Sequence, residues 1–241
     1  MSKIKCRGHN REGTRCSRPV VEGHDFCLFH LPDKQEDLVD EFSLAFDDEK
    51  ASQLKNHPDI LDFTGFHFPI PLLFMEDLDS IYFKDAVFYE SVTFWNMNEQ
   101  RGVLFKDTIT FKDAIFMDMA DFGCARFQEA IFSGAAFREF VDFSETIFCK
   151  VYFDYAVFES NALFVKTNFI EYADFREAKF LADGDFCEAS SEGEVFFNHS
   201  RFQNAWFTRS KFKQVDFSDA VFLGDLDVYE SNINNIKKAI G

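Results

Sequence analysis

The chain has 241 residues and a formal net charge of −17 at pH 7, and 35 of its residues are phenylalanine against two tryptophans. So much aromatic surface requires burial, which excludes an intrinsically disordered chain, and no apolar run approaches the ~20 residues that cross a bilayer. The N-terminal residues lack the apolar core of a secretory signal, so we expect a cytoplasmic protein without a membrane partner.

The charge is divided unevenly along the chain. Residues 1–34 hold seven Lys and Arg against four Asp and Glu, whereas the remaining 207 residues hold 18 against 38. This division predicts a small basic head and a large acidic body with different partners. Because an acidic surface repels nucleic acid and membranes, the body is expected to bind basic protein surfaces.

The basic head, residues 1–34, contains three cysteines and three histidines. Its candidate metal ligands follow the spacing C-x9-C-x10-C-x2-H: Cys6, Cys16, Cys27 and His30. Three thiolates and one imidazole suit a tetrahedral structural zinc ion, and a segment this short and polar needs a metal to fold. His9 and His24 are rival ligands, although each is more typical of a surface histidine. Since four protein ligands leave no open position, we expect no catalytic zinc.

This spacing, with the sequence "RCSR" and the ending "FCLFH", resembles the WRC domain of plants, a zinc module with three cysteines and one histidine. The resemblance covers about 25 residues and implies metal binding. In plants the module is associated with DNA binding, and four arginines of the head could contact phosphates: Arg7, Arg11, Arg15 and Arg18. A net charge of only +3 predicts weak, salt-sensitive binding to nucleic acid.

Residues 35–60 form an acidic segment with a helical pattern. Leu38, Phe42, Ala45 and Phe46 recur at helical spacing, with acidic residues on the other faces. We expect this helix to cap the repeat structure that follows, because an open end would expose unpaired strand edges.

Residues 61–224 carry phenylalanine at a period near five. Between Phe83 and Phe222 the ladder has 25 phenylalanines, and 15 of its 24 intervals are five residues, seven are six and two are eleven. Its phase extends backward through Leu78, Leu73, Phe68 and Phe63. The residue two positions before each phenylalanine is alanine twelve times, valine six times and never charged.

Neither a straight strand nor a helix keeps a five-residue period on one face. A chain that turns a corner every five residues does, since each short extended segment then points one large and one small side chain inward. Repetition of such segments predicts an all-β solenoid whose coils stack about 4.8 Å apart.

The segments "AIFSG", "AVFES", "ADFRE" and "AKFLA" resemble the repeat of the pentapeptide-repeat proteins. The resemblance implies a right-handed, quadrilateral β-helix with four pentapeptides per coil. About eight coils would then make a rod of about 38 Å.

Departures from the five-residue step carry their own predictions. Six-residue steps that begin at Phe116, Phe137 and Phe158 recur every 21 residues, so the extra residue should fall at one corner and form a stacked bulge. The two eleven-residue gaps place Gln100, and either Ser191 or Glu192, where a phenylalanine belongs. We therefore expect residues 95–104 and 187–196 to leave the rod as loops, either as plain insertions or as partner contacts.

The outward positions predict the surface of the rod. Two residues after the phenylalanine, twelve of 25 positions are acidic and three are basic. One residue before it, the middle coils are mostly apolar, which predicts an apolar stripe for a protein contact or a dimer: Ile115, Ile131, Ala136, Ile147, Tyr152, Val157 and Leu163. The best-understood pentapeptide-repeat proteins are acidic rods that mimic DNA and bind DNA gyrase or topoisomerase IV.

Residues 225–241 predict a short C-terminal helix, with Ser231 as N-cap and Ile236 and Ile240 on one face. It would cap the last coil or pair two chains. No dinucleotide-binding, P-loop, zinc-protease or nucleophile-elbow motif is present, so we expect no enzyme. The predicted function is a protein-interaction scaffold with an acidic rod. The alternatives are a DNA-mimicking regulator of a type II topoisomerase and nucleic-acid binding through the zinc module.

Overall fold

The computed structural model describes residues 6–9, 12–32 and 36–233. Two short 3₁₀ turns, Leu28–His30 and Glu36–Leu38, precede one α-helix, α1 (Val39–Asn56). Everything after α1 in the described residues is strand or turn. The predicted C-terminal helix with Ile236 and Ile240 lies outside the described residues.

The described residues contain 23 strands, each two to seven residues long. In chain order they are β1 Ile60–Asp62, β2 His67–Phe68, β3 Leu72–Phe74, β4 Ser80–Tyr82, β5 Val87–Phe88, β6 Val92–Asn96, β7 Arg101–Gly102, β8 Leu104–Thr110, β9 Ile115–Phe116, β10 Ala120–Asp121, β11 Arg126–Ile131, β12 Ala136–Phe137, β13 Val141–Asp142, β14 Ile147–Tyr152, β15 Val157–Phe158, β16 Ala162–Leu163, β17 Asn168–Asp174, β18 Lys179–Asp185, β19 Ser190–Phe196, β20 Arg201–Trp206, β21 Lys211–Asp216, β22 Val221–Phe222 and β23 Leu226–Asp227.

Apart from β7 and the strands at the two ends of the rod, each strand pairs in parallel with strands one coil earlier and one coil later. β11, for example, lies between β8 and β14, so that Phe127 lies between Phe105 and Phe148. The strands form one sheet of eight strands and a second of fifteen. This pairing confirms the predicted all-β solenoid of about eight coils.

The phenylalanines stack into four columns, one for each side of the coil. Column 1 comprises Phe63, Phe83, Phe111, Phe132, Phe153, Phe175, Phe197 and Phe217. Column 2 comprises Phe68, Phe88, Phe116, Phe137, Phe158, Phe180, Phe202 and Phe222. Column 3 comprises Phe74, Phe94, Phe122, Phe143, Phe164, Phe186 and Phe207. Column 4 contains Phe105, Phe127, Phe148 and Phe169.

Rings within a column are close to parallel, apart from the tilted Phe63–Phe83 pair, and rings of neighbouring columns meet edge to face or at a tilt. Phe137 and Phe158 have centroids 5.0 Å apart and an interplanar angle of 1°, whereas Phe132 meets Phe143 at 5.4 Å and 78°. Both arrangements are favourable for aromatic quadrupoles. The rings therefore make a single packed core along the rod, with small residues filling the position two before each ring.

The chain turns its corners by two devices. After columns 1 and 3, the second residue beyond the phenylalanine has positive φ, as in Asp113 (57°) and Glu145 (57°), and the third donates its N–H back to the phenylalanine carbonyl. These are type II β-turns. After column 2, a six-residue step inserts Met119, Phe140 and Asn161 at the same corner in successive coils, and their carbonyls accept N–H groups of the preceding coil. The predicted recurrence is confirmed, although the extra residue forms a bend between strands.

The first coil departs from the predicted phase by one residue. Leu73 is 52% exposed, whereas Phe74 is buried and stacks on Phe94 at 4.8 Å. The prediction that Leu73 points inward is therefore wrong. Pro69 and Pro71, which fix φ and donate no N–H, lie in the step that precedes it, and this step has one residue more than the ideal repeat.

Of the two predicted loops, only the first leaves the rod. β6 and β7 form an antiparallel hairpin, with Trp95 opposite Gly102, and Gln100 is exposed at its turn with a φ of 50°. Asp77 anchors the hairpin by accepting hydrogen bonds from the two terminal guanidinium nitrogens of Arg101, Nη1 and Nη2, at 3.1 and 2.8 Å.

The prediction for residues 187–196 is wrong, because this segment contains β19, an integral strand of the eight-stranded sheet. Ser191 occupies the ring position between Phe169 and Phe212 and is buried. Its hydroxyl donates to the Gly193 carbonyl at 3.2 Å and accepts from the Lys213 N–H at 3.1 Å. A buried serine is tolerated here since its hydrogen bonds are satisfied.

Two elements close the N-terminal end of the rod. Phe42 and Phe46 of α1 are buried, and the Phe46 ring lies 5.1 Å from Phe63 of the first coil. Phe29 of the N-terminal segment stacks on Phe66 at 4.7 Å. The predicted helical cap is thus confirmed, and the N-terminal segment adds a second layer. In the described part of the chain, no helix is long and apolar enough to cross a membrane.

Candidate metal centre and interaction surface

The structure brings the four predicted metal ligands together. Cys6, Cys16, Cys27 and His30 are all buried, and their ligand atoms lie within 4.8 Å of one another. An antiparallel bridge between His9 and Arg15 brings the first two cysteines together, and the 3₁₀ turn Leu28–His30 places the other two ligands three residues apart. Within the described residues, the metal-ligating group includes neither His9 nor His24.

The distances suit a tetrahedral zinc ion. Zn–S bonds of about 2.3 Å and Zn–N bonds of about 2.0 Å imply S···S and S···N edges of about 3.8 and 3.6 Å. Cys16 Sγ lies 3.9 Å from Cys27 Sγ, and His30 Nδ1 lies 3.6 Å from Cys6 Sγ and 3.1 Å from Cys27 Sγ. The donor atom of the histidine is therefore Nδ1. A small divalent ion fits among these atoms with little rearrangement.

The surrounding backbone is arranged for thiolates. N–H groups of Gly8 and Cys27 point at Cys6 Sγ at 3.3 and 3.2 Å, and the N–H of Arg18 points at Cys16 Sγ at 3.4 Å. Burial and the neighbouring Cys16 and Cys6 raise the pKa of the Cys27 thiol to about 12. Three thiolates so close together need a cation between them.

Sequence reasoning missed Gly8, which the metal centre needs. A β-carbon at this position would lie 2.3 Å from Cγ and 2.7 Å from Nδ1 of His30. The imidazole therefore packs directly on the backbone of residue 8, which holds its ring in place. Burial lowers the pKa of His30, so the ring is neutral and offers a lone pair. The buried imidazole also forms hydrogen bonds with the backbone at Thr64 and His9.

The arginines of the head bind the protein itself. Arg18 donates to Glu49 of α1 at 2.6 Å, and its guanidinium lies 5.2 Å from the rings of Phe29 and Phe66. Arg7 pairs with Asp25 at 3.0 Å. Arg15 donates Nε–H to the Cys6 carbonyl at 2.8 Å. Arg11 lies outside the described residues. Nucleic-acid binding through the head stays a prediction.

The predicted apolar stripe does not exist as one surface. Ile115, Ala136 and Val157 lie on the column 2 side, in paired strands β9, β12 and β15. Ile131 and Ile147 lie on the column 1 and column 4 sides, respectively. Tyr152 lies beside Ile131, and Leu163 lies on the column 3 side. The prediction is wrong because each five-residue step carries the chain to the next side of the coil.

Acidic residues gather on one side of the rod. We define the acidic side as the corner after column 2 together with the column 3 face: residues 89–94, 117–122, 138–143, 159–164, 181–186, 203–207 and 223–228. It holds ten carboxylates and one arginine, which is a net charge of −9 out of the −17 of the whole chain. Arg138, that one cation, is paired with Glu159 in the next coil.

Three carboxylates of the acidic side also stabilise the turn that follows column 3. Asp121, Asp142 and Asp185 precede a column 3 phenylalanine, and each accepts the backbone N–H two residues later at 2.7 to 2.9 Å. These are Asx-turns, which hold the corner. Burial and the stacked Asp142 raise the pKa of Asp121. The dipeptide Asp-Phe, which precedes several turns, is the sequence signal for this role.

Exposed apolar side chains lie among these carboxylates. Met117, Met119 and Leu181 are 40–51% exposed at the corner after column 2, and Leu223 is 46% exposed in the last coil. Phe140 at the same corner is half-buried. The acidic side therefore offers both charge and burial to a partner.

No family model and no curated protein matches this chain. Among solved structures, two of QnrB1, described as a plasmid-mediated fluoroquinolone resistance protein, are similar to it at 18% identity. One match covers 69% of this chain and 84% of that protein with a TM-score of 0.27. The other covers 70% and 91% with a TM-score of 0.23. Similarity at this level does not extend to function, and the coil architecture rests on the strand pairing and ring columns of this chain.

Proposed function

We propose that this protein is a non-enzymatic, cytoplasmic protein-interaction scaffold whose acidic side binds a basic protein surface. The observation that carries the proposal is the concentration of net charge −9 on one of four sides of the rod. A charge field of one sign on one side attracts and orients an oppositely charged partner. The exposed methionines and leucine at the same corner supply apolar area that charge alone lacks.

The corner after column 4 is closer to balanced in charge. Lys150 lies 3.4 Å from Glu171 there, and Lys106 lies 3.3 Å from Asp79. Exposed pairs of this kind nearly cancel each other's field at a distance. The acidic side has one cation, and that cation already pairs within the rod.

We assign zinc to the four-ligand cluster as a structural ion. It would hold the two chain segments that carry Cys6 and Cys27, and thereby keep Phe29 stacked on Phe66 at the open end of the rod. A segment of this length gains its folding free energy from metal binding. The zinc module thus belongs to the cap of the scaffold.

The scaffold is tested by affinity capture with two matched charge variants. The acidic-side variant combines Asp118→Asn, Glu139→Gln and Asp183→Asn. The control variant combines Asp107→Asn, Glu129→Gln and Glu171→Gln, which removes the same charge at the corner after column 4. Each tagged protein is incubated with cytoplasmic extract, and stoichiometric partners are identified by mass spectrometry.

The expected result is a partner that wild type and control variant retain and that the acidic-side variant loses. Retention should also weaken as salt rises, because exposed charges are screened. A partner that all three proteins retain equally would overturn the assignment of the acidic side. The absence of any stoichiometric protein partner would overturn the scaffold.

One observation favours DNA mimicry of a type II topoisomerase as a second candidate. Ten carboxylates along the seven coils of the acidic side, at about 4.8 Å per coil, give about one charge per 3.4 Å, which is also the spacing between phosphates of one DNA strand. A supercoiling assay with purified DNA gyrase and topoisomerase IV tests it. Inhibition, or protection from an inhibitor, that the acidic-side variant loses would support mimicry. Unchanged activity at micromolar protein would remove this candidate.

A further inference from the structure

We infer that the acidic side binds a basic, amphipathic α-helix that lies parallel to the rod axis. This inference rests on the proposed function and names the shape of the partner. It follows from three features of the acidic side: the spacing of its coils, the saturation of its backbone hydrogen bonds, and the order of its charged and apolar side chains.

The coil spacing matches the pitch of a helix. Successive column 3 rings from Phe94 to Phe186 are 5.0, 4.9, 5.0 and 4.7 Å apart. An α-helix advances about 5.4 Å per turn, whereas a β-strand advances about 6.7 Å per two residues. Over four coils a parallel helix drifts by about 2 Å and a strand by about 7 Å, estimated from these repeats. One helical residue per turn can therefore meet one residue per coil.

The acidic side supplies one corner carboxylate for each of five successive coils. They are Glu90, Asp118, Glu139, Glu159 and Asp183, of which Glu159 already pairs with Arg138 of the preceding coil. A helix with lysine or arginine once per turn would place a cation against each coil with this spacing. Charged pairs at such a surface add specificity and association rate, and their contributions sum along the row.

A partner strand would find no hydrogen bonds on this side. Backbone groups of the acidic side point along the rod axis and are used between coils, as in Ala120 N–H to the Phe140 carbonyl at 3.1 Å and Val141 N–H to the Asn161 carbonyl at 3.1 Å. Strand addition requires a free sheet edge, which occurs only at the ends of a solenoid. A helix satisfies its own backbone and needs only side-chain contacts.

The apolar side chains of the acidic side indicate which face of the partner helix would be buried in the complex. Met117 and Met119 flank Asp118, and Phe140 and Leu181 lie at the same corner in later coils. Methionine adapts its shape to a partner surface. The expected partner helix therefore carries apolar residues at i, i+3, i+4 and i+7, bordered by lysine or arginine.

Two synthetic peptides of identical lysine and leucine content test the inference. In the helical peptide, leucines repeat with a period of 3.6 residues, and in the alternating peptide they occupy every second position. Each peptide is labelled with a fluorophore and titrated with wild type, the acidic-side variant and the control variant. Binding is read from fluorescence anisotropy, and helix formation from circular dichroism of the complex.

The inference expects the helical peptide to bind wild type at least about tenfold more tightly than the alternating peptide. It expects a loss of about tenfold or more in the acidic-side variant and less than about threefold in the control variant. Equal binding of the two peptides would overturn the inference and leave the scaffold intact, because capture of a natural partner is a separate measurement. Equal losses in the two variants would also overturn it.

Discussion

Gly8→Ala should disable the metal centre while leaving the rod folded. The added β-carbon would lie 2.3 Å from His30 Cγ, 2.5 Å from Cδ2 and 2.7 Å from Nδ1. Ordinary contacts between such atoms begin at about 3.5 Å, so the ring must retreat by about 1 Å. Zinc bonds tolerate only about 0.2 Å, so Nδ1 cannot stay in the coordination sphere. We expect zinc affinity to fall by about 100-fold.

The assay is competition for zinc with a chromophoric chelator, with metal stoichiometry measured by atomic emission. Gly13→Ala is the matched control, because Gly13 has a φ of +75° and no atom within 4 Å of the added β-carbon. It should cost about 1 kcal/mol of backbone strain and keep the zinc. Equal zinc affinity in wild type and Gly8→Ala would refute the placement of His30 against residue 8.

Three further predictions concern the rod and its cap. Phe132 is fully buried among six neighbouring rings, so Phe132→Ala should lower the free energy of unfolding by about 3–5 kcal/mol in urea titrations. The control Ile131→Ala, at a half-buried residue, should lower it by less than about 1.5 kcal/mol. Similar losses in the two variants would contradict the assignment of Phe132 as inward and Ile131 as outward. Removal of zinc by a chelator should change the near-UV circular dichroism and lower the melting temperature, yet leave the far-UV strand signal of the coils. Simultaneous loss of the near-UV and far-UV signals would show that the rod does not stay folded without its cap. Hydrogen bonds from Arg101 lower the pKa of Asp77. The ionised carboxylate therefore stabilises the hairpin fully at pH values above the ordinary carboxyl pKa, and this stabilisation is lost as the pH falls through the lowered pKa. Asp77→Asn should therefore destabilise the protein most near neutral pH, and a pH-independent difference in urea midpoint would argue against the ion pair.

The period of the phenylalanines was sufficient to predict the coil. Each repeat has the same pattern, with one small and one large inward residue followed by a turn. Because this pattern occurs 25 times in succession, few backbone conformations other than the coil are compatible with it. The cysteine and histidine spacing likewise placed Cys6, Cys16, Cys27 and His30 in one cluster. The role of these residues in zinc binding stays a prediction, as does the identity of the partner.

Local exceptions to the repeat could not be read from the residue type. Ser191 was expected to leave the rod because a polar side chain is costly to bury. The structure keeps it inside, since Gly193 and the Lys213 N–H satisfy its hydroxyl. Gly8 gave no signal either, because its importance depends on a histidine 22 residues later in the chain.

The sequence by itself determined most of the side chains that point inward, with Leu73 and Ser191 as exceptions, because that choice is made within each five-residue segment. Only the tertiary structure decided which outward residues share a side. Residues about 21 positions apart become neighbours, so Asp121 lies beside Asp142, whereas Ile131 and Ile147 lie on different sides. Inserted residues change the number of positions between stacked neighbours from coil to coil. The acidic side therefore forms only where the insertions fall at the same corner and keep the carboxylates of successive coils aligned.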